Sequence, residues 1–486
     1  MAVCAPSLLT MEAQAQEIAH RLRAADRVSL YSHIDTDGIT GAAIGSEALS
    51  RAGIEHDISF LKKLDDAALQ VIRREAPSLA WFVDFGAGQL HQMEGLNAVI
   101  TDHHVPTARD IPRDRRRDLV RFAQEEDRVL MLNPHLDGEG SDVASGAGLA
   151  YAVAKALDPR NTDLAAIAVV GAVADVQDQE FRRLRGFNRT ILQDGIDAGV
   201  LNASVDLRLF GRETRPIHKM FEYSHDPWIP RLSRNAEAAI SFLLEIGIDL
   251  KVDDTWRTWS ELDPGEKRRI VSELATHMLT HGCGWRETER LVGEVYTLVK
   301  EPIGSPTRDA KEFATLVNAT GRYEAAEIGY RVCRGDRGEA LETALQLLAG
   351  HREHLVSSLQ WIETVGLAQL DAIQYFHAQD KIRDTVVGIA AGIALQASGN
   401  RQMPILAFAY APDGVKVSAR APRELVARGL DLAAIMREAS QKFGGDCGGH
   451  HAAAGATIPR GTEEEFARAV DSLVKTQLSR GPSPNH

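Results

Sequence analysis

Little in this sequence could bind through sulfur. Four cysteines among 486 residues, Cys4, Cys283, Cys333 and Cys447, stand apart with no Cys-x-x-Cys pair. That excludes a zinc knuckle and a disulfide framework and fits a reducing compartment. Long apolar runs are missing as well: the longest, Leu164 to Ala174, has 11 residues, too short to span a bilayer. The N-terminus carries Glu12 and Glu17 and lacks a basic-then-apolar pattern, so a cytoplasmic protein with no membrane partner is expected. Positive charge is in deficit. A formal net charge of −13 argues against a protein that coats nucleic acid indiscriminately. Basic clusters survive locally at Arg113, Arg115, Arg116 and Arg117; at Arg182, Arg183, Arg185 and Arg189; and at Arg208, Arg212, Arg215 and Lys219. Neither a repeat of solenoid length nor a low-complexity block occurs.

What is present is the composition of a soluble globular protein, 44% apolar and 25% charged, in a chain long enough for two or three domains. Four short apolar runs before residue 140 each close in polar, ligand-type residues. Arg27–Tyr31 leads into Ser32-His33-Ile34-Asp35-Thr36-Asp37-Gly38, and Ala80–Val83 into Asp84-Phe85-Gly86. Asn97–Ile100 leads into Thr101-Asp102-His103-His104, and Arg128–Leu132 into Asn133-Pro134-His135. Such runs predict buried parallel strands that deliver chemistry at their C-terminal ends. With a strand over 56–61 and helices over 11–25, 40–52 and 65–75, they predict right-handed βαβ units and a parallel sheet. Two small-residue helices follow over 143–157 and 162–173, the second leaving Asp175 at its end.

The texture changes near 200. Residues 201–336 read as a mainly helical middle region and 337–363 as a charged connector helix. Residues 364–475 return to α/β, with strands over 371–377, 404–409 and 414–420, helices over 384–396 and 431–442, and a glycine-rich loop from Gly444 to Gly455. The tail after Lys475, with Gly481-Pro482-Ser483-Pro484, is expected to fray.

Asp35, Asp37, Asp84, His103 and His104, with His33 and Asp175 nearby in this topology, would crowd four or five carboxylates onto one sheet edge. Unneutralised, they would repel strongly. Metal is the simplest resolution, and carboxylates with one or two imidazoles suit Mn²⁺ or Mg²⁺. Seven ligands exceed the need of one ion, so two ions about 3.5–4 Å apart, bridged by a carboxylate such as Asp84, are expected. Asp102, beside two histidines, reads as orienting an imidazole. The ordinary alternative for any single one of these aspartates is a helix or turn cap. Two clustered cations suit in-line displacement at phosphorus, so phosphoester or phosphoanhydride hydrolysis is the reaction class. A second site is expected at the glycine-rich loop, where exposed backbone N–H groups beside Ser418 and Arg420 on one strand face would hold phosphate.

In their order, Asp35-x-Asp37, Asp84, Asp102-His103-His104 and Asp175, followed by Gly448-Gly449-His450 and Ala453-Ala454-Gly455, resemble the motifs of the DHH phosphoesterases with a DHHA1 domain. Within that superfamily the chain resembles the archaeal RecJ-like single-strand-specific exonucleases, including relatives that associate with the replication factor GINS. Phe210–Pro216 and Asn318-Ala319-Thr320-Gly321-Arg322 are similar to stretches of that branch. The resemblance implies a DHH catalytic domain over 1–200 and a DHHA1 substrate-binding domain over 364–475. It implies two ions, Mn²⁺ ahead of Mg²⁺, on Asp35, Asp37, Asp84, His103 and Asp175, with Asp84 bridging and His104 at the scissile phosphate. The position of the family's ligand histidine is Tyr31 here, and His33, two residues before Asp35, is the candidate to replace it. Ser418, Arg420, Gly448, Gly449 and His450, with His135, would hold the nucleic-acid end. The expected activity is a single-strand-specific exonuclease, 5′-to-3′ on DNA, in replication or repair. An RNA exonuclease or short-oligonucleotide phosphodiesterase, and a replisome scaffold binding GINS, are the alternatives.

Overall fold

The computed structural model describes residues 11–106, 129–397, 400 and 402–479. The arginine cluster at 113–117, Cys4 and the Gly481–Pro484 tail lie outside the described residues. Two compact units divide the chain, Met1–Leu348 and Ala349–His486.

The first unit begins with α1 (Met11–Arg23), β1 (Arg27–His33), α2 (Thr36–Arg51), β2 (Glu55–Leu61), α3 (Asp66–Glu75), β3 (Leu79–Val83), β4 (Ala98–Thr101) and β5 (Val129–Leu132). The five strands form one parallel sheet in the order β2-β1-β3-β4-β5. Apolar runs rather than alternating patterns make these strands because both faces are buried. Leu30, Trp81, Val83, Val99 and Leu132 join one core, while Tyr31, Phe82, Ile100 and Met131 join another on the opposite face. The small-residue helices α4 (Gly146–Leu157) and α5 (Ala165–Ala174) pack with α2 in the first core, and α6 (Gly186–Asp197) follows.

Beyond 200 the middle region is bounded by two strands that lie far apart in sequence. β6 (Leu201–Leu207) leads into α7 (Ile217–Glu222), α8 (Ala236–Glu245), the short pair β7 (Lys251–Val252) and β8 (Thr255–Trp256), α9 (Pro264–Thr280) and α10 (Trp285–Thr288). β9 (Val292–Leu298) then returns antiparallel to β6. The excursion has its own core around Phe221, Trp259, Ile270 and Leu274. α11 (Ala310–Arg322) and α12 (Ala326–Cys333) rejoin the first core through Phe313, Leu316, Val317 and Val332. The region is mainly helical, as expected; residues 208–291 pack on themselves, and the last two helices share the core of the parallel sheet.

α13 (Glu339–Val365) runs through the boundary between the two units in the sequence. The second unit adds β10 (Ala368–Gln369), β11 (Gln374–His377), α14 (Val387–Ala397), β12 (Ile405–Ala411), β13 (Gly414–Arg420), α15 (Arg423–Ala427), α16 (Leu432–Phe443), β14 (Asp446–Gly449), β15 (Ala453–Ile458) and α17 (Glu463–Ser479). Its mixed sheet runs β10-β11-β12-β13-β15-β14, parallel only between β11 and β12. Two expectations are corrected here. The glycine-rich stretch is a hairpin of β14 and β15, because backbone pairing Gly448↔Gly455 and Gly449↔Ala454 needs no side chains. The segment after Lys475 stays helical to Ser479, because α17 is anchored by Phe466, Val470 and Val474 in the core.

Candidate metal centre

β1 and β3 are neighbours whose connections leave in opposite directions, to β2 on one side and β4 on the other. The crevice at the carboxyl ends of such a pair is where open α/β sheets bind ligands. His33 closes β1, Asp84 follows β3, and Asp102, His103 and His104 follow β4. Asp35 accepts a hydrogen bond from Gly38 N at 3.0 Å. This cap starts α2 at Thr36, not near Thr40 as expected, and sets Asp37 in the first helical turn. Asp175 is the C-cap of α5.

His33 Nδ1 lies 3.0 Å from Asp35 Oδ2 and 3.5 Å from Asp84 Oδ2. His103 Nε2 lies 3.4 Å from Asp84 Oδ1 and 3.8 Å from Asp37 Oδ2, and its Nδ1 lies 3.7 Å from Asp175 Oδ2. His33, Asp35 and Asp84 thus make one potential ligand set and Asp37, His103 and Asp175 another; a third joins Asp84, His103 and His104. Asp84 stands between the first two, one oxygen toward each imidazole. It is 2% exposed, and among the described residues neither oxygen has a hydrogen-bond partner. Its backbone is left-handed, at φ +64°. A buried acid in that conformation with unmet acceptors is built for a ligand that is not part of the chain.

The charges point the same way. Burial, then the neighbouring charge of Asp84, push the Asp37 carboxyl well above its usual range. Burial raises Asp175 too, with His103 opposing and Asp84 reinforcing. Burial disfavours charge on His33 and His103, but the surrounding carboxylates outweigh it and raise both imidazoles. Carboxylates that would rather be protonated and imidazoles that would rather be charged describe a site short of cations. The donors are imidazole nitrogens and carboxylate oxygens, without thiolate, so the residues fit two divalent ions of the Mn²⁺ or Mg²⁺ kind.

The supports lie behind these ligands. Asp37 accepts from Gly146 N at 2.6 Å and Ala147 N at 3.0 Å, at the start of α4. Side chains at two glycines would not fit: a Cβ at Gly146 would lie 2.6 Å from Asp84 Cβ, and one at Gly171 2.7 Å from Asp37 Oδ1. Asp102 accepts from Ala87 N at 2.8 Å and from His104 Nδ1 at 2.8 Å. Burial alone would raise the Asp102 carboxyl, but His104 holds it down at about 2. Burial opposes the charge on His104, and Asp102 overrides this to raise the ring to about 9. His103 Nδ1 meets Ser141 O at 2.9 Å, and Gln177 Nε2 donates to Ser141 O at 2.9 Å and Asp175 Oδ2 at 2.8 Å. His135 is tied to Ser141 Oγ at 2.8 Å, one residue behind His103.

Ser141, Gly146, Gly171 and Gln177 were not singled out as site residues in the sequence; only the small-residue pattern around 146 and the nearness of Gln177 to Asp175 hinted at them. α11 docks on the metal loop, since Thr36 Oγ1 donates to Ala314 O at 3.2 Å. A Cβ at Gly321 would lie 2.0 Å from Ile34 O. Arg322 thereby comes within electrostatic reach of Asp35.

In the second unit Ser418 and Arg420 share one face of β13, and Ser418 is buried. Gly448 and Gly449 are on edge strand β14, and His450 forms the turn to β15, its N donating to Ala453 O at 2.7 Å. Two of the basic clusters lie within the described residues. Arg208 pairs with Asp178, Arg212 with Asp206 and Asp309, and Lys219 with Glu222. Arg208 and Arg212 are thereby tied inside the fold, while Lys219 makes a local pair along its own helix. Arg182 and Arg189 pair with Glu289 and Glu294.

A domain model described as DHH-CID matches residues 209–292 and one described as DHHA1 matches residues 372–476. An uncharacterized protein of Methanocaldococcus jannaschii is 28% identical over 459 residues, covering 93% of this chain and 94% of that one. The single-stranded-DNA-specific exonuclease RecJ of Thermus thermophilus is 27% identical over 242 residues, 46% of this chain and 33% of RecJ. Among solved structures, Thermus thermophilus RecJ in complex with Mn²⁺ superposes with a TM-score of 0.57 at 19% identity, covering 97% of this chain and 56% of RecJ. CDC45 from Entamoeba histolytica gives 0.62 at 12% identity, covering 96% and 99%. The chain thus spans about half the length of the Thermus RecJ structure. Identities this low show a shared fold. The chain therefore carries a DHH-CID match and a DHHA1 match on a fold shared with RecJ and CDC45.

Proposed function

We propose that this DHH/DHHA1 chain is a metal-dependent phosphodiesterase that removes nucleotides from the end of a single nucleic-acid strand, acting 5′-to-3′ on DNA in replication or repair. Asp84 carries the reading: a buried carboxylate with two unmet oxygens between two His/Asp groups. His33, Asp35 and Asp84 would hold one divalent ion and Asp37, His103 and Asp175 the other, with Asp84 shared. When bound, the ions would polarise the phosphate and lower the pKa of the attacking water.

The chain's own residues supply the rest. Asp102 fixes the His104 ring through Nδ1, leaving Nε2 to donate to a phosphate oxygen. Asp37, which also accepts two N–H groups at the start of α4, holds its carboxylate in one orientation toward His103. Arg322, near Asp35, is a second candidate cation for the phosphate. Ser418, Arg420, Gly448, Gly449 and His450 offer hydroxyl, guanidinium, backbone and imidazole donors for the strand end.

The test is hydrolysis of 5′- or 3′-labelled single-stranded DNA and RNA with Mn²⁺, with Asp84→Ala as control. Mononucleotide release from the 5′ end of DNA, abolished by the substitution, is the expected result. Preference for RNA or for the shortest oligomers would move the substrate to RNA processing. Absence of hydrolysis with any divalent metal would overturn the reading. The DHH-CID match and the CDC45-like fold favour one second reading, a replication scaffold with a GINS-like partner. Its test is co-purification of a partner that survives Asp84→Ala.

A further inference from the structure

α5 ends in a conformation that suits its sequence poorly. Val176 N donates to Val173 O at 3.1 Å and Gln177 N to Ala172 O at 3.1 Å, the paired bonds of a Schellman C-cap. Val176 occupies the left-handed position of that cap, at φ +65°, where glycine is the usual residue. A β-branched side chain is the least suited to it, because Cβ crowds the following carbonyl. Packing does not compensate, for Val176 is 49% exposed. It follows directly on Asp175, and the next residue, Gln177, is buried and bonded to Asp175 and Ser141. The exposed isopropyl group is therefore held firmly at the edge of the metal centre.

The rest of the loop is pinned too. Asp178 pairs with Arg208, Glu294 N donates to Arg182 O at 2.9 Å, and Leu184 N donates to Tyr296 Oη at 2.8 Å. From these anchors Phe181 projects 45% exposed, with the Arg185 guanidinium 3.9 Å from its ring centre. Arg183 and Arg185 are exposed. An exposed ring carrying a guanidinium offers stacking to any base and a charge to its phosphate, without reading sequence.

We infer that residues 176–185 form a platform for the nucleotides beside the scissile phosphate, Val176 against the sugar and Phe181 with Arg185 against a base. This rests on the nucleolytic reading above. The platform explains why valine stands where glycine fits better: the side chain serves the substrate, not the fold.

The experiment compares wild type, Phe181→Ala, Phe181→Leu and Val176→Asn, as full chains with Mn²⁺, on single-stranded DNA and on the same oligonucleotide with abasic sites at the cleaved end. Wild type is expected to prefer the normal strand about tenfold in kcat/KM. Both Phe181 variants should raise KM on the normal strand by a similar factor and lose the preference. Val176→Asn, whose side chain tolerates the left-handed position, should raise KM while its Tm stays at or above that of wild type. Variants that keep the preference, or a Val176→Asn protein that melts several degrees lower, would overturn the platform alone. A wild type that cleaves no single strand would overturn the nucleolytic reading and the platform with it.

Discussion

Replacing Asp84 by Asn should make the metal-free protein more stable and the metal-loaded protein less so. Asp84 is 2% exposed with neither oxygen hydrogen-bonded among the described residues, and each buried unmet acceptor costs about 1–3 kcal/mol. Asn keeps the shape, tolerates φ +64° as readily as Asp does, and removes a buried negative charge that opposes ionisation of Asp37 and Asp175. Relieving one of the two oxygens gives about 2 kcal/mol. For a unit of 348 residues, an unfolding entropy of about 2.1 cal/mol/K per residue totals about 0.7 kcal/mol/K, so Tm should rise by about 3 °C. In Mn²⁺ at about 100 times its Kd, wild type should gain about 2.7 kcal/mol, or about 4 °C. The variant, lacking the carboxylate between the two ligand sets, should gain far less. Calorimetry of the first unit in chelator and across a Mn²⁺ titration would thus show the two Tm values crossing. A variant less stable in chelator, or one that gains as much from Mn²⁺ as wild type, would refute the assignment of Asp84 as the shared ligand.

Gly146→Ala places a Cβ 2.6 Å from Asp84 Cβ; it should weaken Mn²⁺ binding at least about tenfold by calorimetric titration and destabilise by about 1–3 kcal/mol. Asp102→Asn frees the His104 ring and should cut kcat about ten- to hundredfold while leaving Mn²⁺ affinity within a few-fold. Burial, then the charge of Asp309, raise Glu312 to about 7 against the bonds from Thr214 and Glu213. The folded state therefore holds this proton more tightly than the unfolded chain. Its contribution is full below the ordinary glutamate range near 4.5 and is lost as pH rises through about 7, a change on the order of 3 kcal/mol. Glu312→Gln should flatten denaturant-measured stability between pH 4.5 and 7, and an unchanged slope would count against it.

What the sequence made legible was decided by how local each cause is. The parallel strands could be read because burial on both faces leaves continuous apolar runs, and the carboxylates at their ends because a strand end is a position along the chain. The strand pair β6–β9 could not, since its partners lie about 90 residues apart and nothing local distinguishes β6 from a loop. The β14–β15 hairpin was hidden because glycines signal turns, whereas here they pair through backbone alone. Charge counts were the least informative: Arg208 and Arg212 resembled a basic patch until their partners Asp178, Asp206 and Asp309 were located. Asp35 shows why two readings of one residue need not compete. Capping is the ordinary explanation for an aspartate after a strand, and Asp35 does cap α2 through Oδ1. Its other oxygen faces His33 at 3.0 Å. The cap fixes the carboxylate's orientation, and that fixed orientation is what allows the second oxygen to serve the metal centre.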